Sequence, residues 1–225
     1  MGKEFFDRAL VFCNGEFSPE SVPRLRANDL VICADGGLEH AMSVGIEPHV
    51  VLGDFDSLSG AHQRYLNQAP THIKIYEYPI QKDKTDGQLA VEYALDTGVR
   101  EIWMFGGLGG RFDHTLGNLL LCWLCLGRGV AMQLVGHRQY VRMLNGPDST
   151  DLRGRPGDYV SLLPLTPTVV GVTTTGLYYP LQENTLYLGD TRGLSNELIT
   201  AQAKVEVRDG ILVVIGTERN NELPS

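Results

Sequence analysis

Six short apolar runs mark the first two-thirds of the chain: ALVFCN (9–14), LVICAD (30–35), HVVLGD (49–54), HIKIYEY (72–78), EIWMFG (101–106) and AMQLVG (131–136). Runs of this length suit buried strands and are too short for buried helices. Between several of them lie helical patterns. GLEHAMSVG reads as a short helix ended by Gly45, and HTLGNLLLCWLCLG as one ended by Gly127. TDGQLAVEYALDTG sets Leu89, Ala90, Tyr93 and Ala94 on one helical face and stops at Gly98. Strands alternating with helices imply crossover connections and a parallel sheet.

The last third changes period. After NGPDSTDLRGRPGD come YVSLLPL, GVTTTGL, NTLYLG and ITAQAKVEVRDGILVVIG, with no helical spacing among them. Asp209-Gly210, between KVEV and ILVVI, is a hairpin signal. The chain is therefore α/β: a mostly parallel α/β domain, then an antiparallel β domain expected to be a small sandwich. The boundary falls within 134–150, and the tail TERNNELPS is expected to fray.

Composition narrows the function classes. A formal charge of −8 over 225 residues excludes broad contact with nucleic acid, which rests on Lys and Arg. No apolar run approaches the roughly 18 residues of a membrane span. The start MGKEFFDRALVFCNG lacks the apolar core and cleavage site of a signal peptide. A cytoplasmic protein with no membrane contact is expected. Cys13 and Cys33 fall in strands, Cys122 and Cys125 in an apolar helix. No second pair completes a zinc or redox motif, so all read as core packing.

Ligands of an open α/β sheet bind beyond the carboxyl ends of its strands. The second strand runs into Asp35, the third into Asp54 and Asp56, the fourth into Lys82, Asp83, Lys84, Thr85 and Asp86, and the fifth into GGLGG, Arg111, Asp113 and His114. In an extended strand, Asp54 and Asp56 would share a face about 7 Å apart. Turned inward to about 4 Å, they would repel by on the order of 4 kcal/mol near a surface. A cation offsets that, and hard carboxylate ligands without His or Cys favour Mg²⁺. Asp54, Asp56 and Asp86 are the candidate ligands. The glycine loop before a helix start suits an anion, and Arg111 can grip phosphate bidentately. These residues alone leave phosphoryl transfer, nucleotidyl transfer and hydrolysis open.

In order along the chain, ADGG, VVLGDFDS, KDKTDGQLA, GGLGGRFDHTLGN, TTTGLYYPL and GLSNE resemble the thiamine pyrophosphokinase family, over roughly Val11 to Ile215. The resemblance implies a Mg²⁺-dependent homodimer that transfers pyrophosphate from ATP to the thiamine hydroxyl, giving thiamine diphosphate and AMP. It implies an ATP- and Mg²⁺-binding catalytic α/β domain at 1–137 and a thiamine-binding, dimerising β-sandwich at 138–225. Asp54, Asp56 and Asp86 would hold the metal. Lys82, Asp83, Thr85, Arg111, Asp113 and His114 would surround ATP. Asp35, Tyr179, Ser195 and Asn196 would meet thiamine, the last two reaching into the partner's site. ADGGLEH departs from the family's frequent ADGGAN at Leu38 and Glu39, and Lys82, where eukaryotic members often carry glutamine, suggests a bacterial-type member. The general base stays unassigned. The alternatives are a Mg²⁺-dependent phosphohydrolase and a non-catalytic nucleotide-binding regulator.

Overall fold

The computed structural model describes residues 5–56 and 58–219, in two compact units, Met1–His137 and Arg138–Ser225. The expectation of a frayed tail falls mostly outside the described residues, although Thr217 is still in a strand.

In the first unit, β1 (Arg8–Phe12), β2 (Asp29–Ala34), β3 (Val50–Gly53), β4 (Lys74–Glu77), β5 (Glu101–Phe105) and β6 (Ala131–Gly136) coincide with the six apolar runs. They pair in parallel in the order β6-β5-β1-β2-β3-β4. Every residue of β1, β2 and β3 is buried, as expected for strands covered on both faces. Two of those residues are charged. Parallel register sets Arg8 opposite Asp29. The guanidinium gives the carboxylate two hydrogen bonds, of 3.0 and 2.6 Å, and lies over the Trp103 ring at 4.8 Å.

Four helices follow the strand ends: α1 (Gly37–Ser43), α2 (Gly60–Asn67), α3 (Asp86–Thr97) and α4 (Phe112–Leu126). The hydroxyl of Thr85 accepts the Gln88 N–H and starts α3, and Gly98 stops it in the left-handed conformation, φ 84°. The buried face of α3 is Ala90, Val91, Ala94 and Leu95, one position round from the expected stripe. Tyr93 instead meets the Tyr76 ring, centroids 5.5 Å apart. α2 had no sequence signal because none of its residues is buried. Glu39 ties down its start by accepting the Ser59 N–H at 3.1 Å, while Leu38 is core. The departure from ADGGAN thus has a local structural use.

The second unit starts earlier than the expected strand YVSLLPL. β7 (Gln139–Asn145) and β8 (Asp148–Arg153) precede β9 (Tyr159–Pro164) and β10 (Thr168–Thr175), followed by β11 (Asn184–Tyr187), β12 (Asn196–Glu197), β13 (Gln202–Val207) and β14 (Ile211–Thr217). All pairs within the unit are antiparallel. β12-β9-β14-β7 form one row and β11-β10-β13-β8 another. Residues of both rows, among them Leu162, Val172, Val205 and Leu212, share one core cluster.

The Asp209-Gly210 hairpin does not form. β13 and β14 belong to different rows, and the turn between them carries the chain across. Asp209 exchanges backbone hydrogen bonds with Val170 rather than across its own turn. Gly210 sits at φ 93°, and a Cβ there would lie 2.6 Å from the Thr168 carbonyl oxygen. A glycine was needed, but for close passage beside β10.

Candidate active site

β1 is flanked by β2 on one side and β5 on the other, so chain direction across the first sheet reverses there. Such a reversal opens a crevice at the strands' carboxyl ends. A cavity of about 830 Å³ lies there. β1 contributes Asn14 and Glu16, β2 Asp35, and β3 Asp54. Lys82, Asp83, Thr85 and Asp86 follow β4, and Arg111 and His114 follow β5. The expected cluster is thereby brought together, except for Asp56 and Asp113. Each of these is bonded to a residue of the cavity wall.

β3 stops at Gly53, so the extended-strand argument for Asp54 and Asp56 does not hold. Phe55 takes φ 62°, and the turn brings the Asp56 N–H to 3.4 Å from Asp54 Oδ1. Asp35 is also in the left-handed region, at φ 49°. Gly53 permits the approach of the two strand ends: a Cβ on it would sit 3.1 Å from Asp35 Cα. One carboxylate oxygen from each of Asp35, Asp54 and Asp56 falls within 4.8 Å of the others. Asp35, expected at the substrate, is the third carboxylate of this group, while Asp86, expected as a ligand, has its Oδ1 2.9 Å from Lys82 Nζ.

The charges in this cluster are unequal. Desolvation pushes the Asp54 carboxyl up, but hydrogen bonds from Lys82 and the Asp56 N–H outweigh it and hold it below the usual carboxylate range. The hydrogen bond and charge of Asp54 push the Asp56 carboxyl above that range. Three hard oxygen donors, crowded enough to raise the proton affinity of one, fit a divalent cation such as Mg²⁺.

Lys82 lies between two carboxylates, its Nζ 3.2 Å from Asp54 Oδ2 and 2.9 Å from Asp86 Oδ1, with the side chain 13% exposed. At the other end of the cavity, Glu16 Oε1 accepts the Gly110 N–H at 2.9 Å, and Asn118 Nδ2 donates to the Gly107 carbonyl at 3.0 Å. Both shape the glycine loop, and both were missed from sequence. Asn118 lies one helical turn beyond His114 on α4, a spacing that puts them on one face. Glu16 follows β1, a strand end to which the strand-end rule was not applied. Arg111 forms a two-bond pair with Asp113, at 3.2 and 2.6 Å, both side chains exposed. Solvent screens such an exposed pair and leaves it weak, so an anionic ligand can take Arg111 at little cost.

In the second unit, Asn196 is 7% exposed. Its Oδ1 accepts the N–H groups of Tyr179 and Glu197, and its Nδ2 donates to the Tyr179 carbonyl. Ser195 takes φ 56° and gives its N–H to Ser161 Oγ. The Tyr178 and Tyr179 rings meet edge to face, 4.8 Å apart, and both are well exposed.

Residues 23–134 match the family model "Thiamin pyrophosphokinase, catalytic domain", and residues 149–212 match "Thiamin pyrophosphokinase, vitamin B1 binding domain". The thiamine pyrophosphokinase of Bacillus subtilis is 31% identical over 186 residues, 83% of this chain and 86% of the relative. Thiamin pyrophosphokinase 1 of Caenorhabditis elegans is 26% identical over 180 residues, 76% of this chain and 71% of the relative. The Bacillus subtilis crystal structure superposes with a TM-score of 0.85 at 28% identity, over 95% of this chain and 100% of that one. That from Geobacillus thermodenitrificans gives 0.80 at 28%, over 97% and 100%.

Proposed function

The chain belongs to the thiamin pyrophosphokinase family, and we propose how its residues divide that family's work. The enzyme is an ATP-dependent diphosphotransferase acting on thiamine. Residues 1–137 form the ATP- and Mg²⁺-binding catalytic domain. Residues 138–225 form a β-sandwich that binds thiamine and pairs two copies, so that each active site draws on both chains. No helix among the described residues is long and apolar enough to cross a membrane, and the enzyme works in the cytoplasm.

The observation that carries this assignment is the approach of Asp35, Asp54 and Asp56 to within 4.8 Å beside Lys82. These three carboxylates would hold Mg²⁺, with Asp86 paired to Lys82 beside them. Bound there, Mg²⁺ would offset charge on the phosphate oxygens of ATP. Lys82 and Arg111 neutralise further oxygens, and the glycine loop with His114 borders the nucleotide. The Tyr179 ring, exposed on its own unit, covers thiamine. The thiamine hydroxyl attacks the β-phosphorus and AMP departs. A cationic thiazolium suits an acidic chain of net charge −8.

Incubation with ATP, Mg²⁺ and thiamine should yield thiamine diphosphate and AMP in equal amounts. Release of ADP or inorganic phosphate without thiamine would instead mark a phosphohydrolase, and nucleotide binding without turnover a regulator.

A further inference from the structure

We propose that Glu16 is a specificity-determining residue of the nucleotide site: its carboxylate closes one end of the glycine loop to phosphate and accepts a ribose hydroxyl there. This rests on reading the strand-end cavity as a nucleotide site. The loop 106–110 is tied down from two sides. From α4, the Asn118 amide donates to the Gly107 carbonyl at 3.0 Å and the Thr115 hydroxyl to the Gly109 carbonyl at 3.2 Å. From beyond β1, Glu16 Oε1 accepts the Gly110 N–H at 2.9 Å. The backbone beside Glu16 is fixed as well, because the Gly15 N–H donates to the Gly106 carbonyl at 3.0 Å. Gly109, at φ 86°, leaves room for the carboxylate: a Cβ on it would collide with the Glu16 side chain.

The two ties differ in what they leave for a ligand. α4 holds the loop by its carbonyls, groups that a phosphate cannot use. Glu16 holds it by an N–H, the kind of donor with which a glycine loop cradles an anion. That donor already has a negative partner, and a phosphate oxygen brought to it would meet like charge. The next residue, Arg111, carries its guanidinium on Asp113 rather than on Glu16. An anion-binding group and an anion-excluding one therefore stand side by side in the chain. An ionised carboxylate has about four lone-pair positions, and the Gly110 N–H takes one of them. The others suit hydroxyl donors. Glu16, Gly109, Gly110 and Arg111 all line the cavity. In a nucleotide whose phosphates reach Arg111, the ribose is the neighbouring group and the base lies farther off, so the hydroxyls that meet Glu16 are those of the sugar.

The distinguishing measurement compares nucleotides rather than rates. Mg²⁺-saturated ATP, 2′-deoxy-ATP, 3′-deoxy-ATP and inorganic triphosphate are titrated calorimetrically into the full chain and into the Glu16→Gln and Glu16→Ala variants. Wild type should bind ATP about tenfold more tightly than at least one of the two deoxynucleotides, the low end for a hydrogen bond to a charged group. Glu16→Ala should erase that preference: ATP weakens by the same factor while that deoxynucleotide hardly changes. Glu16→Gln keeps an acceptor for the Gly110 N–H and for the hydroxyl but loses the charge. It should keep part of the preference and bind inorganic triphosphate several-fold more tightly than wild type. The KM for thiamine should hold in both variants. Equal losses for ATP and both deoxynucleotides in Glu16→Ala would reduce Glu16 to a brace for the loop and overturn the proposal. So would equal binding of all three nucleotides by wild type, or a triphosphate affinity unchanged in both variants. Failure of wild type to bind any nucleotide removes the nucleotide reading of the cavity, and this role of Glu16 with it.

Discussion

Asn196 and Tyr179 hold each other by a reciprocal pair of hydrogen bonds, Asn196 Nδ2 to the Tyr179 carbonyl at 2.7 Å and the Tyr179 N–H to Asn196 Oδ1 at 3.0 Å. The amide of Asn196 is thereby engaged with backbone and fixes Tyr179, the ring proposed above to cover thiamine. Asn196→Ala strands these partly buried groups, a cost of about 1–3 kcal/mol. It should lower the melting temperature by about 5 °C and raise the KM for thiamine with little change in kcat. Tyr179→Ala, at an exposed ring, should raise the same KM and leave the melting temperature unchanged. Normal thiamine kinetics in both variants would remove this turn from the substrate site.

Asp56 is the exposed member of the carboxylate cluster, and Asp54 presses on its charge. Asp56→Asn should cut kcat at least about 100-fold, equivalent to about 2.7 kcal/mol in the barrier. Without Mg²⁺ it should melt no lower than wild type, because a repulsion is gone. Mixed with Tyr179→Ala chains at low thiamine, it also tests whether sites are shared. Random exchange makes half of the dimers mixed, each with one intact site, so activity should recover to about a quarter of wild type. Demonstrated exchange without recovery would place each site within one chain.

Arg111 presents a planar fork, currently closed on Asp113. Arg111→Lys keeps the charge and loses the fork. The KM for ATP should rise several-fold, the KM for thiamine should hold, and stability should not change. Unaltered ATP kinetics would reduce Arg111 to a surface partner of Asp113.

Arg8 and Asp29 form a buried ion pair between adjacent parallel strands. Breaking such a pair leaves one charge buried alone, at about 3–5 kcal/mol, and Asp29→Asn should show that loss in chemical denaturation at neutral pH. Desolvation pushes the Asp29 carboxyl up, but hydrogen bonds from Arg8 and the Arg26 N–H prevail and lower it below the usual range. The stabilisation is complete above the unfolded-state value near 3.9 and fades as pH falls through the lower folded-state value. The gap between wild type and Asp29→Asn should stay constant above about pH 5 and shrink below about pH 4. A gap that narrows only toward alkaline pH would refute the assignment.

The parallel strands were legible because burial on both faces writes itself as an unbroken apolar run, as in β2. The strand-end rule then located the cavity without any contact being known. What escaped had no local signature. α2 buries no residue completely and leans only the part-buried Tyr65 and Leu66 on the core, too little apolar pattern in eight residues to read as a stripe. The identity of the third clustered carboxylate depends on left-handed turns at Asp35 and Phe55, and spacing along the chain does not reveal those. Asp209-Gly210 is a local hairpin signal overruled by tertiary pairing, since β14 finds its partners in β7 and β9. The burial of Asn196 and its two backbone partners, Tyr179 and Glu197, likewise became visible only in three dimensions.

β14 lies between β7 and β9, and follows both in the chain. A ribosome therefore delivers the two strands that flank β14 well before β14 itself. Until Ile211–Thr217 emerges, β7 and β9 each expose the edge that β14 will fill, and open edges of this kind recruit other chains. The second unit cannot consolidate step by step during synthesis. A premature stop just before Ile211 would spare every residue of the strand-end cavity and still release a sticky, unfinished product that chaperones must hold.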